Sequence, residues 1–279
     1  MRLEFAGLSH VGRVRKENQD AVLLLPRDTE PWLLAVADGM GGMAGGAEAS
    51  RLALEVLTRE VSRALGEGDA WGAALRRAVE EANRAVWRRA QAEPALRGMG
   101  TTVVAALVGG RRMVVANVGD SRAYSLRGGE LRQITEDHSL VQEEVAQGLI
   151  TPEQARTHAM KNVLTRAVGA GEEVEVDLFS REVAAGEVLL LCSDGLHGVV
   201  PDAAVREILL GTPRLEEAAR RLVEAANQMG GPDNVSVVLA RVEEVDPEES
   251  EPGTDTQRRR AARQGGGGLR GLWRRLVGK

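Results

Sequence analysis

The chain has 279 residues, is 43% hydrophobic and carries a formal net charge of -5; it is long enough to bury the core of one large domain, and its acidic balance excludes a bulk basic surface for nucleic acid. Its one cysteine, Cys192, excludes intramolecular disulfides and a cysteine-rich metal site and fits a reducing compartment. The N-terminus has no apolar signal-peptide core and no apolar run approaches the roughly 20 residues of a bilayer span, so the sequence reads as a soluble cytoplasmic protein.

In chain order, residues 21–25 are an apolar run that follows Asn18-Gln19-Asp20, and residues 33–37 form a buried-strand candidate that ends at Asp38-Gly39. Residues 48–65 and 70–91 have apolar positions at three- and four-residue spacing, which predicts two long helices. Residues 101–108 and 113–118 are β-rich and separated by Gly109-Gly110, and residues 122–126 and 130–134 flank Gly128-Gly129; each pair predicts a hairpin. Residues 139–165 read as helical or irregular, with Pro152 opening a short helix. Residues 174–181 and 188–192 are strand candidates, 203–210 and 215–229 helices, and 234–242 a closing strand. Helices grouped between hairpin-linked strands argue for α+β, with antiparallel sheets covered by helices.

Composition changes near residue 243. Residues 243–268 are first acidic, then basic and glycine-rich, which reads as a solvated linker. Residues 269–279 form a short tail in which Leu269, Leu272, Trp273, Leu276 and Val277 recur at helical spacing among Arg270, Arg274, Arg275 and Lys279. A folded domain over 1–242 is expected; the tail reads first as a disordered, functionally minor end, and the alternative is a weak electrostatic anchor to an anionic membrane surface or an acidic partner.

The chemistry-bearing residues lie where the predicted strands end. Asp38, Asp120, Asp194 and Asp233 each follow an apolar run or sit in a turn-forming context, and Asp20 precedes one. Any one of these reads as a turn former, since Asx side chains bond their own backbone. Five together point elsewhere: converging carboxylates repel one another unless cations neutralise them. Oxygen-only ligands favour Mg2+ or Mn2+ over zinc. Cys192 lacks an arginine six residues on, and neither His-Glu-x-x-His nor Gly-x-Ser-x-Gly occurs. The glycine-rich stretch after Asp38 lacks the Gly-Lys-Ser/Thr ending of a nucleotide-binding loop.

Taken in order, Val14-Arg15-Lys16-Glu17-Asn18-Gln19-Asp20, Asp38-Gly39-Met40-Gly41-Gly42, Gly100-Thr101-Thr102, Asn117-Val118-Gly119-Asp120-Ser121-Arg122, Asp137-His138-Ser139, Cys192-Ser193-Asp194-Gly195-Leu196 and Asp233-Asn234-Val235-Ser236 resemble the motifs of the bacterial protein phosphatase 2C family. The resemblance covers about residues 3–242. It implies a β-sandwich of two antiparallel sheets with a pair of helices on each outer face. It also implies a protein-serine/threonine phosphatase that uses two core Mn2+ or Mg2+ ions, with a weaker third, to activate water. Carried over residue by residue, Asp38 bridges two ions and the Gly39 carbonyl ligates one. Asp194 and Asp233 complete the other site, Asp20 acts through water, and Asp120 shares the third ion with Asp194. Arg15 grips the phosphate, its planar fork suiting bidentate oxygen contacts. The implied partners are phosphoserine and phosphothreonine proteins and the kinases that make them, with the phosphatase itself a monomer.

Gln19 stands where some relatives carry glutamate, which implies weaker metal affinity, and Met40 stands where eukaryotic relatives have a histidine proposed as general acid. His158 falls in the segment that resembles the family's mobile flap and is a candidate substrate contact, whereas His138 reads as a structural hydrogen-bonding residue and Cys192 as a buried, inert thiol. A catalytically weak phosphoprotein-binding module is the competing reading; such a member would have lost metal aspartates or Arg15, and all are present. A metal-dependent nuclease is disfavoured by the acidic domain and an aromatic content of 3%.

Overall fold

Strands that are apolar at every position need cover on both faces, and this requirement sets the architecture. The computed structural model describes residues 1–25, 30–41 and 45–245. Along β3 (Trp32–Met40), Leu33, Ala35 and Ala37 enter one core, and Leu34 and Val36 enter another. β5 (Val103–Gly109) divides the same way, with Val103, Ala105 and Leu107 on one side and Val104, Ala106 and Val108 on the other. This is the period of two that a pleated strand imposes.

The strands form two antiparallel sheets. The first contains β1 (Arg2–His10), β11 (Val235–Glu244), β10 (Val188–Cys192), β7 (Arg122–Arg127) and β8 (Glu130–Gln133), in that order. The second runs β2 (Asp20–Leu25), β3, β5, β6 (Arg112–Val118) and β9 (Asp177–Glu182), with the two-residue β4 (Gly100–Thr101) paired to the end of β3. Between the sheets lies a core that includes Leu34, Val36, Val104 and Val115 from one and Leu189, Leu191, Val238 and Val242 from the other. Helices α1 (Gly45–Gly66) and α2 (Trp71–Ala92) cover the outer face of the second sheet through Leu57, Val61, Leu75 and Val79. On the outer face of the first sheet, α6 (Asp202–Gly211) and α7 (Leu215–Gln228) bury Val205, Leu209, Leu222 and Val223. The expected helix–sheet–sheet–helix sandwich is the observed one.

Four differences from the sequence reading have physical reasons. β1 carries no clear apolar alternation, yet it pairs along its whole length with β11. Asp38 and Gly39 belong to β3 rather than to a turn, because β4 extends the ladder through the pairs Gly39–Thr101 and Met40–Gly100. β9 begins at Asp177, not at 174: Asn83 Nδ2 donates to the carbonyls of Gly171 and Glu172 and holds the preceding loop away from β6. β11 continues to Glu244, two residues past the expected end of the folded region. The compact unit spans Met1–Val245. The linker and tail read from the sequence fall, apart from residues 243–245, outside the described residues, as do positions 42–44 of the glycine-rich stretch.

Candidate metal centre

The acidic residues gather at one end of the sandwich because the strands that carry them end there. Asp20 opens β2 directly opposite Asp38 near the end of β3. Asp120 follows β6, and Asp194 is the first residue of the short helix α5 (Asp194–His197) that leaves β10. Asp233 precedes β11. Asp38, Asp120, Asp194 and Asp233 line one cleft of about 680 Å3, together with Arg15 and Gly39. Asp20 lies beneath it, where its Oδ2 accepts from Ser193 Oγ at 2.8 Å.

Backbone contacts fix this floor. The Asp38 N–H donates to Thr102 Oγ1 at 3.0 Å, while its carbonyl accepts from Thr101 Oγ1 at 2.8 Å and from the Thr102 N–H at 2.9 Å. Gly39 is pressed between two segments: a Cβ there would lie 2.1 Å from the Gly46 carbonyl oxygen and 2.5 Å from that of Gln19, so no side chain fits. Asn234 ties in the N-terminal loop; its Oδ1 accepts from the Gln19 N–H at 2.8 Å, and its Nδ2 donates to the carbonyls of Val11 and Glu17, both at 2.9 Å.

Burial, reinforced by neighbouring carboxylates, disfavours ionisation of Asp20, Asp38, Asp120 and Asp194. It pushes Asp120 up to about 8, with Asp194 and Asp137 adding repulsion. Asp20 rises to about 6 for the same reasons, despite the hydroxyls of Ser236 and Ser193. Asp38 and Asp194 are also raised, and the two lie within hydrogen-bonding reach of each other. Oδ1 of Asp20 and Oδ1 of Asp194 are buried without a hydrogen-bond partner. Orphaned carboxylate oxygens among repelling acids are what a divalent cation with oxygen ligands would satisfy, so the residues present fit Mg2+ or Mn2+. Among the described residues, no group of three or more His, Cys, Asp or Glu side chains is placed to hold one ion as the side chains stand; the fit rests on the donor set, the orphaned oxygens and the mutual repulsion of Asp38 with Asp20, Asp120 and Asp194.

Arg15 reaches over the cluster and donates from Nη2 to Asp233 Oδ2 at 2.7 Å, while remaining half exposed. Gln19 and Met40 also line the cleft. His158 does not line it: it caps the end of α4 (Pro152–Thr157), and its Nδ1 accepts from the Met160 N–H at 3.2 Å. The expectation of substrate contact there is not supported by its placement, because the side chain is spent on closing a local turn. His138 is buried; its Nδ1 accepts from the Gly119 N–H at 3.1 Å and its Nε2 faces Asp177 Oδ2 at 3.1 Å, so it braces the turn that presents Asp120. Cys192 is buried and free, and burial raises its thiol. His197 was missed in the sequence: it is partly buried, burial lowers it to about 3, and the neutral ring donates from Nε2 to the Asp120 carbonyl at 3.0 Å. Its position one turn after Asp194 was the available signal.

Comparison with known proteins agrees with this geometry. The model of the family described as Protein phosphatase 2C matches residues 6–239. The chain is 44% identical over 253 residues to the serine/threonine protein phosphatase PstP of Mycobacterium tuberculosis, covering 90% of this chain but 47% of that protein, about half its length. It is 42% identical over 234 residues to the serine/threonine phosphatase stp of Listeria monocytogenes, covering 82% of this chain and 91% of that one. The crystal structure of the PstP catalytic domain in complex with two manganese ions superposes with a TM-score of 0.75 at 43% identity, covering 88% of this chain and 99% of that one. With its motifs, its fold and the match over residues 6–239 in agreement, the chain belongs to the protein phosphatase 2C family.

Proposed function

We propose that the chain is a metal-dependent protein phosphatase that hydrolyses phosphoserine and phosphothreonine in proteins and so opposes serine/threonine kinases. The observation that carries this reading is the convergence of five aspartates at one end of the sandwich, Asp38, Asp120, Asp194 and Asp233 lining the cleft and Asp20 beneath it, with an orphaned carboxylate oxygen on Asp20 and on Asp194. Asp38 and the Gly39 carbonyl, with Asp194 and Asp233, would hold two Mn2+ or Mg2+ ions, Asp20 supporting them from below through water; Asp120 with Asp194 would hold a weaker third. When bound, such cations supply an activated water nucleophile and offset charge on the phosphoryl oxygens.

The protein's own groups do the rest. Arg15 presents a planar fork for two phosphate oxygens; its present partner, Asp233, is an acid that a cation would also claim, which would leave the guanidinium free for substrate. Thr101 and Thr102 hold the Asp38 backbone, so that its carboxylate is aimed without rearrangement. Gln19 leaves the site one negative charge short of relatives that carry glutamate, which supports weaker metal binding. Met40 offers no proton for the leaving oxygen, so the general acid lies elsewhere. A stable monomer with kinase substrates as its partners is consistent with this reading.

Phosphate release from a phosphothreonine peptide tests it. Turnover is expected with Mn2+ or Mg2+ and not with chelator, and Asp38→Asn should lower kcat by at least about a thousandfold while circular dichroism shows an intact fold. Near-normal release by Asp38→Asn in Mn2+ would overturn the assignment.

A further inference from the structure

The catalytic cleft opens on one flank into a second cleft of about 450 Å3. Asp120, Asn162 and Asp194 line both. Because the two clefts share these walls, a peptide with its phosphate over the aspartates has the second cleft beside its flanking residues, each of which spans at most about 3.6 Å of extended chain.

This second cleft has a distinct chemistry. Val145, Val199 and Val200 give it apolar wall, and Arg156 and Lys161 add two exposed cations from the segment above. Of its other charged groups, Asp120 and Asp194 belong to the candidate metal centre, and the rest are engaged. Arg122 donates to both oxygens of Asp137, at 2.9 Å and 2.7 Å, and Asp202 accepts from Tyr124 Oη at 3.4 Å. The side chains of Arg156 and Lys161 have no hydrogen-bond or ion-pair partner among the described residues. Glu153, one turn before Arg156 on α4, feels its charge without pairing with it, and Lys161 acts on Asp194 only at a distance. Two unpaired cations beside a phosphate site, over apolar wall, offer complementarity to an anion carried on a short side chain.

We propose that this second cleft selects substrates with Asp or Glu next to the phosphorylated residue, Arg156 and Lys161 receiving the carboxylate. The proposal rests on the phosphatase reading above and extends it to substrate choice. A monoanion fits better than a second phosphate, because Asp137 and Asp202 line the same cleft and oppose a dianion more strongly. Arg156 lines the second cleft and not the first, so its influence separates from the chemistry.

The test uses the full chain with Mn2+ and three sets of phosphothreonine peptides that carry Glu, Ala or Lys at each flanking position in turn. At one or more positions Glu should exceed Ala by about three- to tenfold in kcat/KM, the size of one or two exposed ion pairs. Arg156→Glu should abolish that preference and favour Lys, while turnover of p-nitrophenyl phosphate, which has no flanking chain, stays unchanged. Equal kcat/KM for all three sets, or an acidic preference that survives Arg156→Glu and Lys161→Ala together, overturns the proposal. So does a preference confined to peptides with a second phosphate. Fluorescence anisotropy of the same peptides reads the cleft without turnover. Tighter binding of Glu peptides by a chain that cannot hydrolyse p-nitrophenyl phosphate would sustain the cleft while removing the hydrolytic reading.

Discussion

Asp20 is held between opposing influences: burial and the charges of Asp194 and Asp233 raise its carboxyl to about 6, while Ser193 and Ser236 stabilise the ionised form. Asp120 is raised further, to about 8. In the unfolded chain both titrate near the ordinary aspartate value of about 3.9. Between that value and the folded one, the folded protein binds more protons than the unfolded chain, so stability falls as pH rises. The contribution is complete below about pH 4 and is lost progressively as pH climbs through the folded values. With chelator present, thermal denaturation should therefore give a higher Tm at pH 5 than at pH 8. A difference of about 5 °C is expected, corresponding to about 2 kcal/mol in a domain of this size once the shared repulsion is counted once. Saturating Mn2+ should shrink or reverse the difference, because a bound cation favours the ionised carboxylates. A chelated Tm that rises from pH 5 to pH 8 would show that the aspartates do not repel one another as placed.

The turn between β6 and β7 shows how an element, rather than a residue, sets the site. Gly119 has a φ of 105°, and a Cβ on it would lie 2.6 Å from Thr102 Cγ2, the residue that also holds Asp38. Gly119→Ala should therefore cost about 2 kcal/mol in urea denaturation and lower Mn2+ affinity by calorimetry, since Asp120 and Thr102 move together. An unchanged Mn2+ titration would mean that the turn does not position the acids. The hairpins at 109–110 and 128–129 and the four long helices were legible because glycine punctuation and helical periodicity are local signals. β1 was not, because its partner β11 is more than two hundred residues away and its own pattern is irregular. The aspartates were legible as a set through their motif contexts. The cation pair Arg156 and Lys161 was not, because only the packing of residues 139–165 against the turn after α5 brings them to one cleft. His158, which its segment and residue type made a candidate substrate contact, instead accepts a local bond from the Met160 N–H that sequence spacing does not reveal.

At the scale of the whole molecule, the first and last described strands meet: β1 forms an edge of the first sheet and pairs along its length with β11. Ala240 and Val242 of β11 are fully buried in the core between the sheets. Beyond Glu244 the strand ends, and Met1–Val245 is a compact unit in its own right. A chain that stops after Val245 should thus keep the Tm and the peptide phosphatase activity of the full chain, because it keeps every core and cleft side chain named above. A chain that stops after Leu239 loses two buried side chains and half of a strand ladder, and should lose more than about 3 kcal/mol, enough to leave it largely unfolded in most marginally stable domains. The residues beyond 245 would then act apart from catalysis. Their basic positions, Arg258 to Arg260 and Arg270 to Lys279, make an anionic surface the expected contact, one that weakens as salt shortens the Debye length. Co-sedimentation with phosphatidylserine vesicles should therefore be greater for the full chain than for the chain ending at Val245, and the difference should vanish at about 0.5 M salt. Equal sedimentation of the two chains at low salt would remove the membrane contact and leave the catalytic unit as the whole of the protein's measurable function.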